Sequence, residues 1–230
     1  VIEEILPKGV AVAELFADRP GAMLFEEEAV AVQRAVDSRR REFTSGRACA
    51  RRALARLGLP PVPVPRGERG APAWPDGVVG SITHCEGYRA CAVAMDTQIL
   101  TIGIDAEPHE PLPPGVFDMI SLRTERWALA RLPSGVHWDR VLFSAKESIY
   151  KAWFPLTRRW LDFSEATVTI DPSAGTFHAR LSKIATVHRG GLLTELAGGW
   201  RVADGFVLTA IAHPADRAAS LVSEPLAMNL

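Results

Sequence analysis

At 230 residues the chain is long enough to bury a substantial core, as one domain or as two compact halves, and its 47% hydrophobic and 23% charged residues are those of an ordinary soluble globular protein. A formal net charge of -1 excludes polyanion binding by the protein as a whole, and no apolar run approaches the roughly 18 residues of a membrane span. Cys49, Cys85 and Cys91 are odd in number and lack a Cys-x-x-Cys spacing, which argues against a disulfide framework or a zinc site and for free, mostly buried thiols.

Residues 1–25 carry apolar patches broken by Pro7, Pro20 and Gly21 and read as an irregular or short-stranded lead-in. Glu3, Glu4 and Glu14 stand where a secretory leader would be basic and then apolar, so the cytoplasm is the expected compartment. From 26 to 36, Ala29, Val30, Val32 and Val36 fit a helix with three glutamates near its start. Arg34, Arg39, Arg40, Arg41, Arg47, Arg51, Arg52 and Arg56 then make eight cations against Asp37 and Glu42 in 23 residues. Thr44 is expected to cap a helix that Gly58 stops, with Ala50, Leu54 and Leu57 on one face and Arg47 and Arg51 on the next. Such an arginine face is either solvated or a phosphate clamp.

Residues 58–77 hold six prolines and four glycines, a composition that would suit a linker. Within them lies Pro65-Arg66-Gly67-Glu68-Arg69-Gly70, where glycines allow close backbone approach and Arg66 and Arg69 could grip an anion; a tight turn with exposed arginines is the alternative. Residues 78–85, 88–95 and 99–107 read as successive strands. Thr83 and His84 end the first and Asp105 ends the third, so these ends are expected to converge on one site. In Ile99-Leu100-Thr101-Ile102-Gly103-Ile104-Asp105-Ala106-Glu107 an apolar run stops at two carboxylates. Residues two apart on a strand share a side, so Asp105 and Glu107 face one way, and like charges roughly 7 Å apart invite either water or a cation such as Mg2+ or Mn2+.

The prolines of 108–115 mark the expected boundary between two halves, 1–108 and 109–230. A helix is predicted over 117–132 and another over 138–154, the latter ended by Pro155. On it Arg140, Ser144, Glu147 and Lys151 are spaced by four, three and four and form one polar stripe between apolar flanks. The stripe admits a Ser144-x-x-Glu147 capping box, an ordinary Glu147 to Lys151 ion pair, or a ligand site; a hemmed-in ion pair costs desolvation unless it serves a ligand or metal. Residues 166–170, 176–181 and 207–212 read as strands, Asp204-Gly205 as a hairpin turn, and the tail after His213 as loosely held. Each half thus has a helix followed by a strand hairpin, a pseudo-duplicated α+β architecture. The acid pair, the helix Glu and Lys, and arginines over three segments together suggest Mg2+-assisted phosphoryl chemistry without a P-loop or dinucleotide fingerprint.

Five motifs in order carry a more specific reading: Arg39-Arg40-Arg41-Glu42-Phe43 with Arg47, Arg66-Gly67-Glu68-Arg69-Gly70-Ala71-Pro72-Ala73-Trp74-Pro75, Gly80-Ser81-Ile82-Thr83-His84-Cys85, Gly103-Ile104-Asp105-Ala106-Glu107, and Phe143-Ser144-Ala145-Lys146-Glu147-Ser148-Ile149-Tyr150-Lys151-Ala152-Trp153. In them the chain resembles the 4'-phosphopantetheinyl transferases of the Sfp or EntD-like type, particularly actinobacterial members.

The resemblance implies a monomer of two similar α/β halves with coenzyme A as substrate in the cleft between them, and no nucleic-acid or membrane partner. It implies Asp105, Glu107 and Glu147 as ligands of Mg2+, with Mn2+ as a substitute. It assigns Arg39, Arg47, Arg66, Gly67, Arg69, Thr83 and His84 to the coenzyme A site, the arginines and His84 near its 3'-phosphate, and Lys151 to the pyrophosphate. Arg66 stands where many relatives have lysine. The implied reaction moves the phosphopantetheine arm to a serine of an apo acyl carrier protein, or of the carrier domains of fatty-acid, polyketide and peptide synthases, and releases adenosine 3',5'-bisphosphate. Asp105, Glu147 and Lys151 would be its catalytic residues. An acidic carrier could dock near Arg123, Arg126 and Trp127, or near Arg158 and Arg159. The residues by themselves also admit a metal-dependent coenzyme A or nucleotide pyrophosphatase, or a non-enzymatic coenzyme A-binding module.

Overall fold

The computed structural model describes residues 1–186 and 191–215, so the tail expected to be loosely held falls, from residue 216 on, outside the described residues. Two antiparallel sheets carry the fold, each covered by one long helix. The first sheet has the order β1-β3-β2, from β1 (Ala11–Leu15), β2 (Val78–Cys85) and β3 (Tyr88–Met95). The expected helix over 26–36 shortens to the single turn α1 (Glu26–Ala29) and a 3-10 turn over Val30–Val32. Val30 and Val36 stay exposed, so the apolar positions that suggested a longer helix do not all find a core to cover.

Helix α2 (Asp37–Arg56) starts well before the predicted cap. Thr44 lies inside it, its hydroxyl donating to the Arg40 carbonyl at 2.8 Å, which is how a threonine satisfies itself within a helix. Gly58 does end it, at φ +78°. Cys49, Ala50, Ala53 and Leu54 of α2 pack with Cys91 and Val93 of β3. The small residues keep the helix close to its sheet.

The second sheet has the order β4-β8-β7-β6-β5, from β4 (Ile99–Pro108), β5 (Ala166–Asp171), β6 (Thr176–Thr186), β7 (Leu192–Ala203) and β8 (Phe206–Pro214). Asp204 and Gly205 form the predicted turn at φ +51° and +80°. The strand bearing Asp105 therefore belongs to the second sheet, with Asp105 opposite Thr209. The sheets divide between β3 and β4, ahead of the proline-rich stretch at which the halves were expected to part.

The predicted helix over 117–132 is two, α3 (Val116–Ile120) and α4 (Arg123–Leu129), separated by the extended backbone of Ser121. Helix α5 (Trp138–Thr157) runs through Pro155 rather than stopping there. Pro155 sits in the last turn, where one lost hydrogen bond is offset by Thr157 donating to Trp153 O at 3.0 Å and by the Arg158 N–H bonding Phe154 O at 2.8 Å. Val141, Leu142, Ala145, Ile149, Ala152 and Trp153 of α5 are buried in one core with β5 to β8. A second core joins Ala90, Ala92 and Ala94 of β3 to Ile102, Ile104 and Ala106 of β4. The two sheets thus share an interior, with α2 and α5 on their outer sides. Cys49, Cys85 and Cys91 are free thiols. Among the described residues no helix is long and apolar enough to cross a membrane.

Candidate functional site

The site grows from the seam between the sheets. On β4 the N–H groups of Ile104 and Ala106 have no strand on that side, and an unpaired buried donor is costly. Two hydroxyls of β2 take the place of a ladder: Ile104 N–H donates to Ser81 Oγ and Ala106 N–H to Thr83 Oγ1, both at 3.1 Å. Thr83 in turn donates to Asp105 Oδ1 at 3.4 Å. The strand end that carries the acid is therefore fastened by the residue that the motif reading placed beside it.

From the other side α5 lies directly on β4. A Cβ at Gly103 would come within 2.0 Å of the Ser148 carbonyl oxygen, so only glycine permits this approach. Thr101 Oγ1 donates to Ala152 O at 2.7 Å, one turn along. The contact brings Lys151 Nζ to 2.7 Å from Asp105 Oδ1 and 3.1 Å from Ile104 O. Lys151 thus pairs across the elements with Asp105 rather than along the helix with Glu147. Nor is Ser144 a cap: it lies inside α5, its Oγ 2.9 Å from Thr209 Oγ1.

Asp105 is 4% exposed, and its Oδ2 is buried with no hydrogen-bond partner. The Glu147 carboxylate makes no hydrogen bond or ion pair among the described residues, and burial, then the Asp105 charge, push its pKa up against the opposing pull of Lys151. Glu107 is also pushed up by burial and by Asp105, but it is held by Arg140, whose Nη1 donates to Glu107 Oε2 at 2.8 Å. Among the described residues no three His, Cys, Asp or Glu side chains gather closely enough to form a metal cluster. Lys151 is paired with Asp105 and Arg140 with Glu107, and the Asp105 charge acts on both Glu107 and Glu147. The buried, unpartnered Oδ2 of Asp105 and the unpaired Glu147 nevertheless suit a hard cation, which oxygen ligands of this kind prefer.

Glu147 and Lys151 line a cavity of about 480 Å3 together with Arg69, Trp74, Tyr150 and Arg158. A neighbouring hollow of about 260 Å3 shares Arg69, Gly70, Pro72 and Ile82 with it and is lined further by Arg39, Arg47, Arg66 and His84. Arg47 is 4% exposed, with its guanidinium over the Phe43 ring at 4.2 Å and its Nε without a partner. Burial lowers its pKa to about 10, so it stays charged at neutral pH without an ion-pair partner among the described residues. Arg39 Nη1 donates to His84 Nε2 at 2.7 Å, which places the proton of the neutral ring on Nδ1, 3.8 Å from Glu42 Oε2. Burial and then the Arg39 charge hold the His84 pKa below its ordinary value. Gly70, at φ +86°, is packed by the Arg66 guanidinium, from which a Cβ would lie 3.2 Å away.

Arg51 does not join this cluster; both its contacts to the fully buried Glu28, at 2.9 and 3.0 Å, are structural. Ser81, Trp74, Tyr150 and Phe154 are among the cavity-lining residues that had no role in the sequence reading of the site. Ser81 was findable, since it shares a strand face with Thr83 two residues on. Of the two suggested docking patches, Arg126 is paired with Asp118 and Trp127 lies 63% exposed, whereas Arg158 lines the cavity.

Comparison with known proteins agrees with these motifs. The 4'-phosphopantetheinyl transferase N-terminal domain matches residues 26–94, and the 4'-phosphopantetheinyl transferase superfamily matches residues 101–203. The chain is 52% identical over 218 residues to the 4'-phosphopantetheinyl transferase Svp of Streptomyces mobaraensis, covering 92% of this chain and 89% of that protein. It is 51% identical over 221 residues to Npt of Nocardia iowensis, covering 93% of this chain and 100% of that protein. With PptT of Mycobacterium tuberculosis the identity is 48% over 220 residues, covering 92% of this chain and 97% of that protein. The seam, the arginine-lined hollow and the acid-bearing strand thus belong to a chain of the 4'-phosphopantetheinyl transferase superfamily, and it is a transferase of that type.

Proposed function

We propose that the protein transfers the 4'-phosphopantetheine arm of coenzyme A to a serine hydroxyl of an apo carrier protein, in a reaction that depends on Mg2+ or Mn2+. The observation that carries this reading is one cleft with two differently charged ends. One end offers Arg39, Arg47, Arg66 and His84, and the other offers Glu147 and Lys151, with the buried Asp105 paired to Lys151 behind it. A ligand that carries a phosphate and a pyrophosphate on two sides of one ribose fits that distribution, and coenzyme A is such a ligand.

In this reading Arg47, already desolvated and without an ion-pair partner among the described residues, receives the 3'-phosphate with Arg39, Arg66 and His84, while Gly67 and Arg69 shape the walls and Thr83 steadies Asp105 behind them. Lys151, held by Asp105 and Ile104 O, presents its ammonium to the pyrophosphate. Asp105 and Glu147 would hold the divalent cation, which neutralises pyrophosphate charge when bound. The serine oxygen forms a bond to the phosphorus nearer the pantetheine, and the bond from that phosphorus to the bridging oxygen breaks. Adenosine 3',5'-bisphosphate leaves with that oxygen. The serine proton passes to Glu147, directly or through water.

The test is the intact mass of apo acyl carrier proteins and of carrier domains from polyketide and peptide synthases, incubated with the protein, coenzyme A and Mg2+. A gain of one phosphopantetheine arm is expected, absent with chelator and absent from a Ser→Ala carrier. Glu147→Gln is expected to abolish the gain while coenzyme A still binds. Consumption of coenzyme A without any carrier would instead indicate a pyrophosphatase.

A further inference from the structure

Glu42 of α2 is the one carboxylate among the described residues that line the arginine-bearing hollow. An acid there repels the anion that Arg39, Arg47, Arg66 and Arg69 would attract, and nothing so far gives it a role. A helix ion pair with Arg39, three residues away and partly exposed, contributes little by itself. The geometry is more particular. Glu42 Oε2 lies 3.4 Å from Arg39 Nη1 and 3.8 Å from His84 Nδ1, while the same Nη1 donates to the other ring nitrogen, Nε2, at 2.7 Å. In the free protein the one proton of the neutral ring is therefore on Nδ1, on the side of the Glu42 carboxylate. A phosphate dianion only accepts hydrogen bonds, so Nε2 can hold it only after gaining a proton. The ring meets that demand either by moving its single proton from Nδ1 to Nε2 or by taking up a second one. A carboxylate beside Nδ1 favours the second course, since it accepts from Nδ1–H and stabilises the imidazolium. Burial, Arg39 on α2, Lys151 on α5 and Arg89 on β3 oppose a charge on this ring, and Glu42 supports it.

We infer that Glu42 is a positioning residue for the 3'-phosphate, holding His84 at Nδ1–H so that the ring binds as an imidazolium between two anions. On binding, Arg39 Nη1 turns from His84 Nε2 to the phosphate, and Nε2 takes a proton from solvent and donates to the same phosphate. Glu42 closes on Nδ1–H. Only that one proton moves, from solvent to Nε2, and Glu42 acts through His84 without touching a reacting atom. The inference rests on the reading of this hollow as the 3'-phosphate end of a coenzyme A site.

Calorimetry on the full chain with coenzyme A and with 3'-dephospho-coenzyme A, in buffers of different ionisation enthalpy, tests it. Glu42→Gln keeps an acceptor beside Nδ1 and removes the charge. It is expected to weaken coenzyme A binding about fivefold or more at neutral pH, to reduce the proton uptake, and to leave 3'-dephospho-coenzyme A within about twofold. The loss should shrink as pH falls, where the ring is charged without help. In the His84→Gln background the same replacement is expected to cost nothing, because it then removes only a repulsion. Tighter or unchanged coenzyme A binding in Glu42→Gln, equal losses for the two ligands, or an equal loss in the absence of His84 would each overturn the inference. Nitrogen NMR of the imidazoles in the unsubstituted protein needs no variant: in the coenzyme A complex both ring nitrogens of His84 are expected to carry protons, and a single protonated nitrogen would overturn the inference as well. Should the unsubstituted protein bind the two ligands equally, the 3'-phosphate reading beneath it fails instead.

Discussion

Arg47 and Arg51 stand one helical turn apart on α2, in the same basic segment, and meet different fates. Arg51 closes on the buried Glu28, whereas Arg47 is buried with no ion-pair partner among the described residues and faces the hollow. A desolvated arginine of this kind gains most from an anion, and a hydrogen bond to a charged group contributes about 1.5–3 kcal/mol. Arg47→Ala is expected to weaken coenzyme A binding about tenfold or more and to change binding of 3'-dephospho-coenzyme A by less than about twofold, as read by calorimetry. Equal losses would remove the 3'-phosphate assignment. His84 adds a pH signature. Its pKa lies below the ordinary value in the free protein, and a bound phosphate would raise it, so binding takes up a proton between the two values and tightens as pH falls through that window. Proton uptake should show as a dependence of binding enthalpy on buffer ionisation, and His84→Gln should abolish it. Arginine content was visible in the sequence, but which arginine stays unpaired was not, because the partner Glu28 lies 23 residues away.

Helix α5 and strand β4 are packed into one unit. Gly103 is the closest approach, and Thr101, Lys151 and Arg140 fasten the rest of the contact. Gly103→Ala would drive a methyl into the Ser148 carbonyl; overpacking of this kind costs about 1–3 kcal/mol. For a chain of this size a loss of that order lowers the melting temperature by roughly 2–4 °C per kcal/mol, and transfer should fall further than stability because Glu147 and Lys151 move with the helix. A variant with unchanged melting temperature and rate would show that the approach is not needed. The polar stripe on α5 was legible from its spacing, and so was the pairing of Asp105 with Glu107 on one strand side. The end of the helix was not, since Pro155 is tolerated in a last turn whose carbonyls find Thr157 and Arg158. The split of the predicted 117–132 helix likewise followed from Ser121, whose extended backbone local pattern did not reveal.

The two sheets meet along β2 and β4 with side-chain hydroxyls standing in for backbone acceptors, so the cleft and the junction of the halves are the same place. Thr83→Val removes the acceptor for the Ala106 N–H and the donor to Asp105 together. Leaving a buried donor unsatisfied costs about 1–3 kcal/mol, so the variant should melt lower and transfer more slowly, and Thr83→Ser should restore both. Failure of serine to restore them would mean that the threonine methyl, not its hydroxyl, carries the effect. Periodicity and motif spacing by themselves determined the α+β class, most strands and the acids at the end of β4, because each depends on neighbours a few positions away. Only the tertiary structure decided that β4 belongs to the second sheet, that Lys151 pairs with Asp105 and Glu107 with Arg140, and that Arg47 has no ion-pair partner among the described residues. Those outcomes depend on which distant charges and hydrogen-bonding groups are buried together, and burial is a property of the packed chain rather than of any segment.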